Sequence, residues 1–212
     1  MKWFVIGILC ILATVLGTCH AKAEPQASLP YKRDVIRESR AVWGLDAPVA
    51  LFAGQIEQES AWREKVCSPF ACGLAQFTPS TAEWISGAYP SLGKAEPFNA
   101  QWAIRSLVRY DYHIHSNMAF AVSDCDRWAF TLSGYNGGAG WIARDRLLCD
   151  RVGGCDADRW FANVEYHSRR ADWALKENRG YPKRILFDRQ FHYTTWGRTI
   201  TCPGASQTPS PK

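Results

Sequence analysis

The segment Ile56-Glu57-Gln58-Glu59-Ser60-Ala61 is followed, a short distance along the chain, by Gly73-Leu74-Ala75-Gln76. The first segment places a glutamate at the end of a half-apolar helix, and the second forms a polar turn that begins with glycine. This layout can hold a carboxylic acid partly out of water beside a groove. Partial desolvation favours the neutral form of a carboxyl group, so such an acid can donate a proton near neutral pH. Glu59 is the candidate acid.

The residues before Glu59 predict the helix that carries it. Asp46 has the character of an N-cap, with Pro48 in the first turn. The positions that follow fall along one stripe at helical spacing, namely Val49, Phe52, Ala53, Ile56 and Ser60. Glu59 is expected at the edge of this stripe, and the side chain of Glu57 is expected to point away from the site.

Similar signals predict four further helices. Thr78 followed by Pro79 opens one, Asn99 opens a second, Asp124 or Asp126 starts a third, and a longer one runs from about Arg170 to Phe187. Strand signals are sparse. The chain is therefore predicted to be mostly α, with a single helical domain over residues 33–200, because no internal repeat or second compositional region is visible.

Both ends of the chain are expected to lie outside this domain. Residues 1–23 read as a secretory signal peptide, with Lys2, an apolar run from Phe4 to Gly17 and a small-residue cleavage pattern at 21–23. An exported, periplasmic protein is the expectation, and a membrane anchor through an uncleaved signal or through lipidation of Cys19 stays open. Residues 24–32 are expected to form a linker, and residues 201–212 a disordered tail.

Six cysteines follow the leader, and an even count behind an export signal fits disulfides in an oxidising compartment. Cys67 with Cys72 and Cys149 with Cys155 are the plausible local loops, which leaves Cys125 and Cys202 as a long-range pair. The spacings lack the short paired pattern of zinc ribbons, so no metal site is expected. Removal of the leader takes away Lys2 and Lys22 and lowers the formal net charge from +5 to +3. This is a mild bias that suits an anionic wall polymer, and it gives no support for nucleic-acid binding.

Four segments occur in a specific order behind the export signal: Glu59-Ser60, Gly73 to Gln76 with the helix after it, Gly134 to Gly140, and Glu177 to Ile185. In this combination the chain resembles the soluble lytic transglycosylase family over roughly residues 33 to 190. The resemblance implies a goose-type lysozyme-like helical fold. Ala75 stands where the family has methionine, and Asn178 and Pro182 depart from the last motif.

The resemblance also implies roles for individual residues. Glu59 is the catalytic acid, with a supporting hydroxyl from Ser60. The residues expected to bind the glycan are Gln76, Tyr135, Asn136, Glu177 and Tyr181. An alternative role for Glu177 is structural, holding Tyr181 or Tyr135 by a hydrogen bond.

The activity that the resemblance implies is cleavage of peptidoglycan between N-acetylmuramic acid and N-acetylglucosamine. One carboxylate acts first as acid and then as base, and the sugar closes to a 1,6-anhydro ring without a cofactor or metal. The expected partner is the peptidoglycan glycan strand. It stays open whether the protein acts in wall turnover or beside an envelope-spanning secretion, conjugation or phage machinery.

Two other functions stay open at the level of sequence. One is a goose-type lysozyme-like hydrolase, in which Glu83, Glu96 or Asp111 positions a water molecule. The other is a non-catalytic glycan-binding subunit of an envelope assembly, in which Glu59 has no chemical role. Tyr135 and Asn136 also lie in a glycine-rich segment that is typical of a plain turn.

Overall fold

Helices make up the regular structure of the chain in a computed structural model that describes residues 23–203. The α-helices are α1 (Lys32–Trp43), α2 (Val49–Ser60), α3 (Pro79–Ala88), α4 (Ala100–Ser116), α5 (Asp124–Gly137), α6 (Gly140–Asp150) and α7 (Asp172–Phe187). Short 3-10 helices cover Gln26–Tyr31, Pro90–Leu92, Val164–Tyr166 and Arg189–Tyr193. Within residues 23–203, β pairing is confined to isolated bridges around Cys72. The mostly α prediction is confirmed.

Helix α2 is the centre of the fold. Every residue from Val49 to Ile56 is buried, so this helix is covered on nearly all sides rather than along one stripe. Gly54 allows the closest approach, because a Cβ atom there would lie 2.7 Å from the backbone nitrogen of Gln190 in the Arg189–Tyr193 helix. The last turn of α2 emerges from this packing, and it carries Glu59.

The helix starts predicted at Thr78 and Asn99 are correct, and each of these side chains caps a backbone amide three residues further along the chain. The side chain of Thr78 accepts a hydrogen bond from the Thr81 amide, and that of Asn99 accepts one from the Trp102 amide. Asp46 does not cap α2, which starts after Pro48 without a side-chain cap. Ser123 caps α5 through the Asp126 amide at 3.0 Å, so the helix begins at Asp124.

Helices α1 and α6 were not predicted, and α7 continues through a proline. Pro182 is buried inside α7, although its ring removes one backbone donor. Burial of the neighbouring Tyr181, Ile185 and Leu186 against the rest of the fold keeps the helix continuous at this point.

The linker expected at residues 24–32 is part of the folded domain. Residues 26–31 form a 3-10 helix in which Ser28 is fully buried, and the Trp196 indole donates a 2.6 Å hydrogen bond to Glu24. At the other end, Cys202 is bonded to Cys125, so the folded part extends into the segment expected as a tail. The structure describes only the last residue of the predicted signal peptide, at position 23. The rest of that segment, including Cys19, and residues 204–212 lie outside the described residues.

The three predicted cysteine pairs are present: Cys67–Cys72, Cys125–Cys202 and Cys149–Cys155. The long-range pair ties the start of α5 to the C-terminal segment, and the two local pairs close loops beside α2 and α6. Among residues 23–203, no helix has both the length and the apolar character that a membrane crossing requires.

Candidate active site

Glu59 lies in the last turn of α2, and its side chain is partly exposed. The chain then turns sharply, because Ala61 and Trp62 both adopt left-handed backbone conformations with φ of 49° and 64°. From the facing helix α7, the hydroxyl of Tyr181 donates a short hydrogen bond to Oε1 of Glu59. The carboxyl group therefore sits where the end of α2 meets the middle of α7.

The surroundings of Glu59 favour its neutral form. Loss of hydration raises the pKa of Glu59 to about 8, and the nearby carboxylate of Glu177 adds to the rise. The hydrogen bond from Tyr181 and the positive charge of Arg184 lower the pKa, but they do not offset the loss of hydration. At pH 7 the group is mostly protonated, as a general acid must be.

Two tyrosines connect this acid to the rest of the site. The rings of Tyr135 and Tyr181 are parallel within 7°, with centroids 6.4 Å apart. The Tyr135 hydroxyl donates a 2.7 Å hydrogen bond to the carbonyl of Ala75. Burial raises the pKa of both phenols well above the usual range, so both remain hydrogen-bond donors at any physiological pH. Helices α5 and α7 and the turn at residues 73–76 are thereby joined around Glu59.

The turn at residues 73–76 depends on Gly73. Its φ is +82°, and a Cβ atom there would lie 1.8 Å from the carbonyl oxygen of Pro97. Gln76 also has a positive φ, of 48°, and its amide nitrogen donates to the carbonyls of Val66 and Gly73. The amide nitrogen of Gln76 thus fastens the turn, and its oxygen remains the group that can accept a bond from a sugar.

Asn136 belongs to the last turn of α5 and not to a plain glycine-rich turn. Its side-chain oxygen accepts a 3.2 Å hydrogen bond from Asn178 of α7. Asn178 is 1% exposed, and it also bonds to the backbone and hydroxyl of Ser133 and to the guanidinium of Arg170. This buried hub holds the end of α5 against α7 and leaves the amide nitrogen of Asn136 for a ligand.

Two side chains next to Glu59 are bonded within the protein. Ser60 is 1% exposed and its hydroxyl donates to the carbonyl of Ile56, and its supporting role stays a prediction. The carboxylate of Glu57 accepts hydrogen bonds from Arg189, His192 and Tyr193 at 2.5 to 2.8 Å, contacts that the sequence did not predict. Glu57 joins α2 to the Arg189–Tyr193 helix.

Glu177 is exposed on α7 and influences Glu59 through its charge. The structural role considered for it is wrong, since the Tyr181 hydroxyl binds Glu59 and the Tyr135 hydroxyl binds Ala75.

The three carboxylates expected as alternatives for positioning water lie in different environments. Glu83 and Glu96 are exposed on and after α3, and Asp111 is fully buried in α4. Burial raises the pKa of Asp111 well above its usual range, and the charge of Glu59 adds to the rise. Asp111 is therefore a neutral acid inside the core, where Gln55 donates to it at 3.4 Å.

One group within residues 23–203 has the residue types of a metal site, formed by Cys149, Cys155 and His167. The two sulfur atoms are joined in a disulfide, so they are not available as thiolate ligands.

Sequence reasoning missed three contributors to the site. These are the carbonyl of Ala75, the hub residue Asn178 and the cation Arg184. The first two act through tertiary contacts that leave no mark in the sequence. Arg184 could have been found, because it lies seven residues after Glu177 and therefore on the same face of α7.

A family model described as the transglycosylase SLT domain matches residues 39–148, about half of the chain. This span includes Glu59, Gln76, Tyr135 and Asn136, whereas Glu177 and Tyr181 lie beyond it. The chain is 30% identical over 111 residues to the membrane-bound lytic murein transglycosylase F of Idiomarina loihiensis, a match that covers 52% of this chain and 23% of that protein. It is 25% identical over 206 residues to the soluble lytic murein transglycosylase of Escherichia coli, covering 90% of this chain and 29% of that protein.

The fold also has a solved counterpart. The crystal structure of the 70 kDa soluble lytic transglycosylase from Escherichia coli matches with a TM-score of 0.54 and 22% identity, covering 78% of this chain and 25% of that one. At this identity the likeness establishes the fold alone. The chain spans between 21% and 29% of the length of the curated relatives that it matches.

Proposed function

Because this chain belongs to the family of transglycosylase SLT domains, we propose that it is a lytic transglycosylase that cleaves the glycan strands of peptidoglycan. The observation that carries the proposal is the state of Glu59, a partly exposed carboxyl whose pKa is raised to about 8 and which is held by Tyr181. An acid with that pKa is protonated at neutral pH and can still release its proton in a reaction.

The first half of the reaction uses Glu59 as a general acid. Its proton passes to the glycosidic oxygen between N-acetylmuramic acid and N-acetylglucosamine as the bond from that oxygen to the anomeric carbon breaks. The 2-acetamido group of the muramic acid assists at the anomeric carbon. The hydroxyl of Tyr181 already donates to Oε1, so it stabilises the carboxylate that forms.

The second half uses the same group as a base. Ionised Glu59 takes the proton of the sugar's own 6-hydroxyl, and that oxygen bonds to the anomeric carbon to give the 1,6-anhydro ring. Glu59 returns to its protonated state, and no water is consumed. The reacting hydroxyl is tethered to the ring it closes, so its effective molarity is high. The charge of Glu177 raises the pKa of Glu59, and the Glu59 carboxylate is therefore a stronger base in this step.

Ligand contacts are proposed for the groups that remain free. The oxygen of Gln76 and the amide nitrogen of Asn136 each keep one unused hydrogen-bonding function, because their other function binds the protein. Tyr135 is partly exposed and offers its ring beside Glu59, whereas Tyr181 is 2% exposed and acts through its hydroxyl on Glu59. Glu177 is exposed on the same helix as Tyr181, where it can accept from sugar hydroxyl groups.

Location and partners are also proposals. The leader-like residues 1–23 support export to the periplasm, where peptidoglycan lies. An anchored form and a role beside a secretion, conjugation or phage machinery fit the same catalytic domain.

Glu59→Gln is expected to abolish clearing of purified sacculi while the fold is retained. The amide is nearly isosteric but cannot donate an acidic proton, so the general-acid contribution of about 10²–10⁴ in rate is lost. Turbidity loss and circular dichroism measure the two effects.

Glu83→Gln is the matched control, because Glu83 is exposed and carries no role in this mechanism. More than a tenth of the wild-type rate in Glu59→Gln would remove Glu59 from the reaction. Absence of clearing by the wild-type protein would favour the glycan-binding alternative.

A further inference from the structure

Asn178 is one of the residues at which this chain departs from the last family motif, and its amide is bonded on every side. The amide oxygen accepts a 2.7 Å hydrogen bond from the Ser133 hydroxyl and a 2.6 Å bond from Nη1 of Arg170. The amide nitrogen donates to the Ser133 carbonyl at 2.9 Å and to the amide oxygen of Asn136 at 3.2 Å. A side-chain amide has two acceptor positions and two donor hydrogens, so this one is fully used.

Two of these partners determine which way the Asn178 amide faces. The guanidinium of Arg170 carries only donors, and the backbone carbonyl of Ser133 can only accept. If the amide turned over, its nitrogen would face the cation and its oxygen would face the carbonyl. Both bonds would then be lost inside the core, where an unpaired polar group is costly. The oxygen of Asn178 therefore faces Arg170, and its nitrogen faces Asn136.

Arg170 is itself held in place from α6. Its side chain is 8% exposed, and Nη1 forms a 3.1 Å ion pair with Asp145, which is 1% exposed. The guanidinium carbon lies 5.3 Å from the centroid of the Trp141 ring. Breaking a buried ion pair on one side leaves an unpaired charge, so this anchor is difficult to move.

The orientation of Asn178 passes to Asn136 in the last turn of α5. The oxygen of Asn136 is taken by the nitrogen of Asn178, so the nitrogen of Asn136 is turned to the other side, and Asn136 is partly exposed. Gly137 permits the close approach of the two helices, because a Cβ atom there would lie 2.6 Å from the amide nitrogen of Asn178.

We propose that Asn178, oriented by Arg170, is a positioning residue that turns the amide nitrogen of Asn136 toward the ligand. This position then binds a hydrogen-bond acceptor of the substrate, such as a hydroxyl or carbonyl oxygen, and disfavours a group that can only donate, such as a protonated amine. The inference rests on the proposed function, because it takes Asn136 as a ligand contact of that site.

The test is the solvent exchange of side-chain amide protons, measured by NMR on the full chain labelled with nitrogen-15 at asparagine. The signals of Asn136 and Asn178 are identified by their loss in Asn136→Asp and Asn178→Asp. In the parent, the amide protons of Asn136 are expected to exchange about tenfold or more faster than those of Asn178, which are hydrogen-bonded in the core.

Asn178→Asp reverses the orientation at Asn136. A carboxylate at position 178 still accepts from Arg170 but has no donor, so Asn136 must turn its own nitrogen inward to bond with it. The exchange of the Asn136 amide protons is expected to slow by about tenfold. On soluble glycan strands, kcat/KM is expected to fall by about tenfold, as for the loss of one hydrogen bond to the substrate.

The matched control is Asn117→Asp, which makes the same chemical change at an exposed residue that follows α4. Its kcat/KM and its Asn136 exchange rate should equal those of the parent. The inference would be overturned by Asn136 protons that exchange as slowly as those of Asn178 in the parent, a result that requires no variant to fold.

An Asn136 exchange rate or a kcat/KM that is unchanged in folded Asn178→Asp would also overturn the inference. The exchange measurement needs no turnover, so it decides the orientation of Asn136 whether or not the chain cleaves glycan. A parent that shows the expected exchange but releases no product would contradict the proposed function alone.

Discussion

Glu59 determines how the activity should depend on pH. Its protonated form is required first, so the rate should fall as pH rises through its pKa of about 8. The hydrogen bond from Tyr181 favours the ionised form, and its removal should therefore raise this pKa.

Tyr181→Phe should accordingly move the falling alkaline limb of kcat/KM to higher pH, by about one pH unit for a hydrogen bond to a charged group. The rate itself should fall, because the carboxylate formed after proton transfer loses its donor. The measurement is the initial rate on soluble glycan strands between pH 5 and pH 10. This range extends about three pH units below and two above the alkaline limb of the wild type.

The control for this change is Tyr112→Phe, since Tyr112 is 47% exposed on α4 and its hydroxyl has no role in the site. Its profile should overlay the wild type. An alkaline limb that stays in place in Tyr181→Phe would show that a group other than Glu59 sets it.

At the level of single residues, the catalytic role of Glu59 stays a prediction, and the sequence could not predict the partners of its carboxyl group. Tyr181 was assigned to the glycan, and the structure shows it bonded to Glu59. Ser60 was expected to assist and is buried instead. Such outcomes depend on which helices pack against each side chain, and the sequence alone does not specify this packing.

Among the elements, the turn at residues 73–76 makes the most specific demand on a residue. Gly73→Ala should place a Cβ atom 1.8 Å from the carbonyl oxygen of Pro97 in addition to straining a positive φ. The unfolding free energy should fall by about 2 kcal/mol or more beyond the cost of the backbone strain, as expected for overpacking against backbone. Activity should fall as well, because Ala75 and Gln76 belong to the same turn.

Gly93→Ala isolates the strain from the clash. Gly93 also has a positive φ, of +76°, but nothing lies within 4 Å of a Cβ atom there. This variant should lose about 1–3 kcal/mol and keep its activity. If urea unfolding gave equal losses for the two variants, the close packing of the turn against Pro97 would be refuted.

The elements themselves were predictable where their signals were local. Thr78 and Asn99 predict the starts of α3 and α4, because a capping side chain binds a backbone amide only a few residues away. The sequence predicted helix α2, but only as a half-buried helix. Which elements cover a helix is determined by the whole fold. Helix α1 was missed, although it has one buried face that includes Val35.

At the scale of the molecule, the three disulfides close loops of very different length. Cys125 and Cys202 are 77 residues apart, whereas Cys67 and Cys72 are five apart. In the chain-entropy description, removal of the long-range pair should cost about 4 kcal/mol and removal of the short one about 2 kcal/mol. Paired Cys→Ala variants compared by thermal unfolding measure the difference.

An equal loss for the two pairs would contradict the entropic description. Thiol labelling of denatured, unreduced protein should find none of the six cysteines of residues 23–203 free. The pairing was predictable because two local loops left one remaining pair. The position of the long bond, between the start of α5 and the chain's last described segment, required the fold.

The proposed function makes one chemical claim, that the glycan closes on itself instead of reacting with water. Asp111 is buried and its pKa is raised well above the usual range, whereas Glu83 and Glu96 are exposed. Hydrolysis would need a carboxylate to activate a water molecule, and the proposed reaction needs none of the three.

Mass spectrometry of muropeptides released from purified sacculi tests this claim most directly. Transglycosylation conserves the mass of the strand, so each cleavage should leave one 1,6-anhydro-N-acetylmuramic acid end, lighter by one water than a hydrolysed reducing end, and one N-acetylglucosamine end with a free 4-hydroxyl. Digestion in water enriched in oxygen-18 should leave these ends unlabelled. Reducing N-acetylmuramic acid ends that carry the heavy oxygen would contradict the account and identify the protein as a hydrolase.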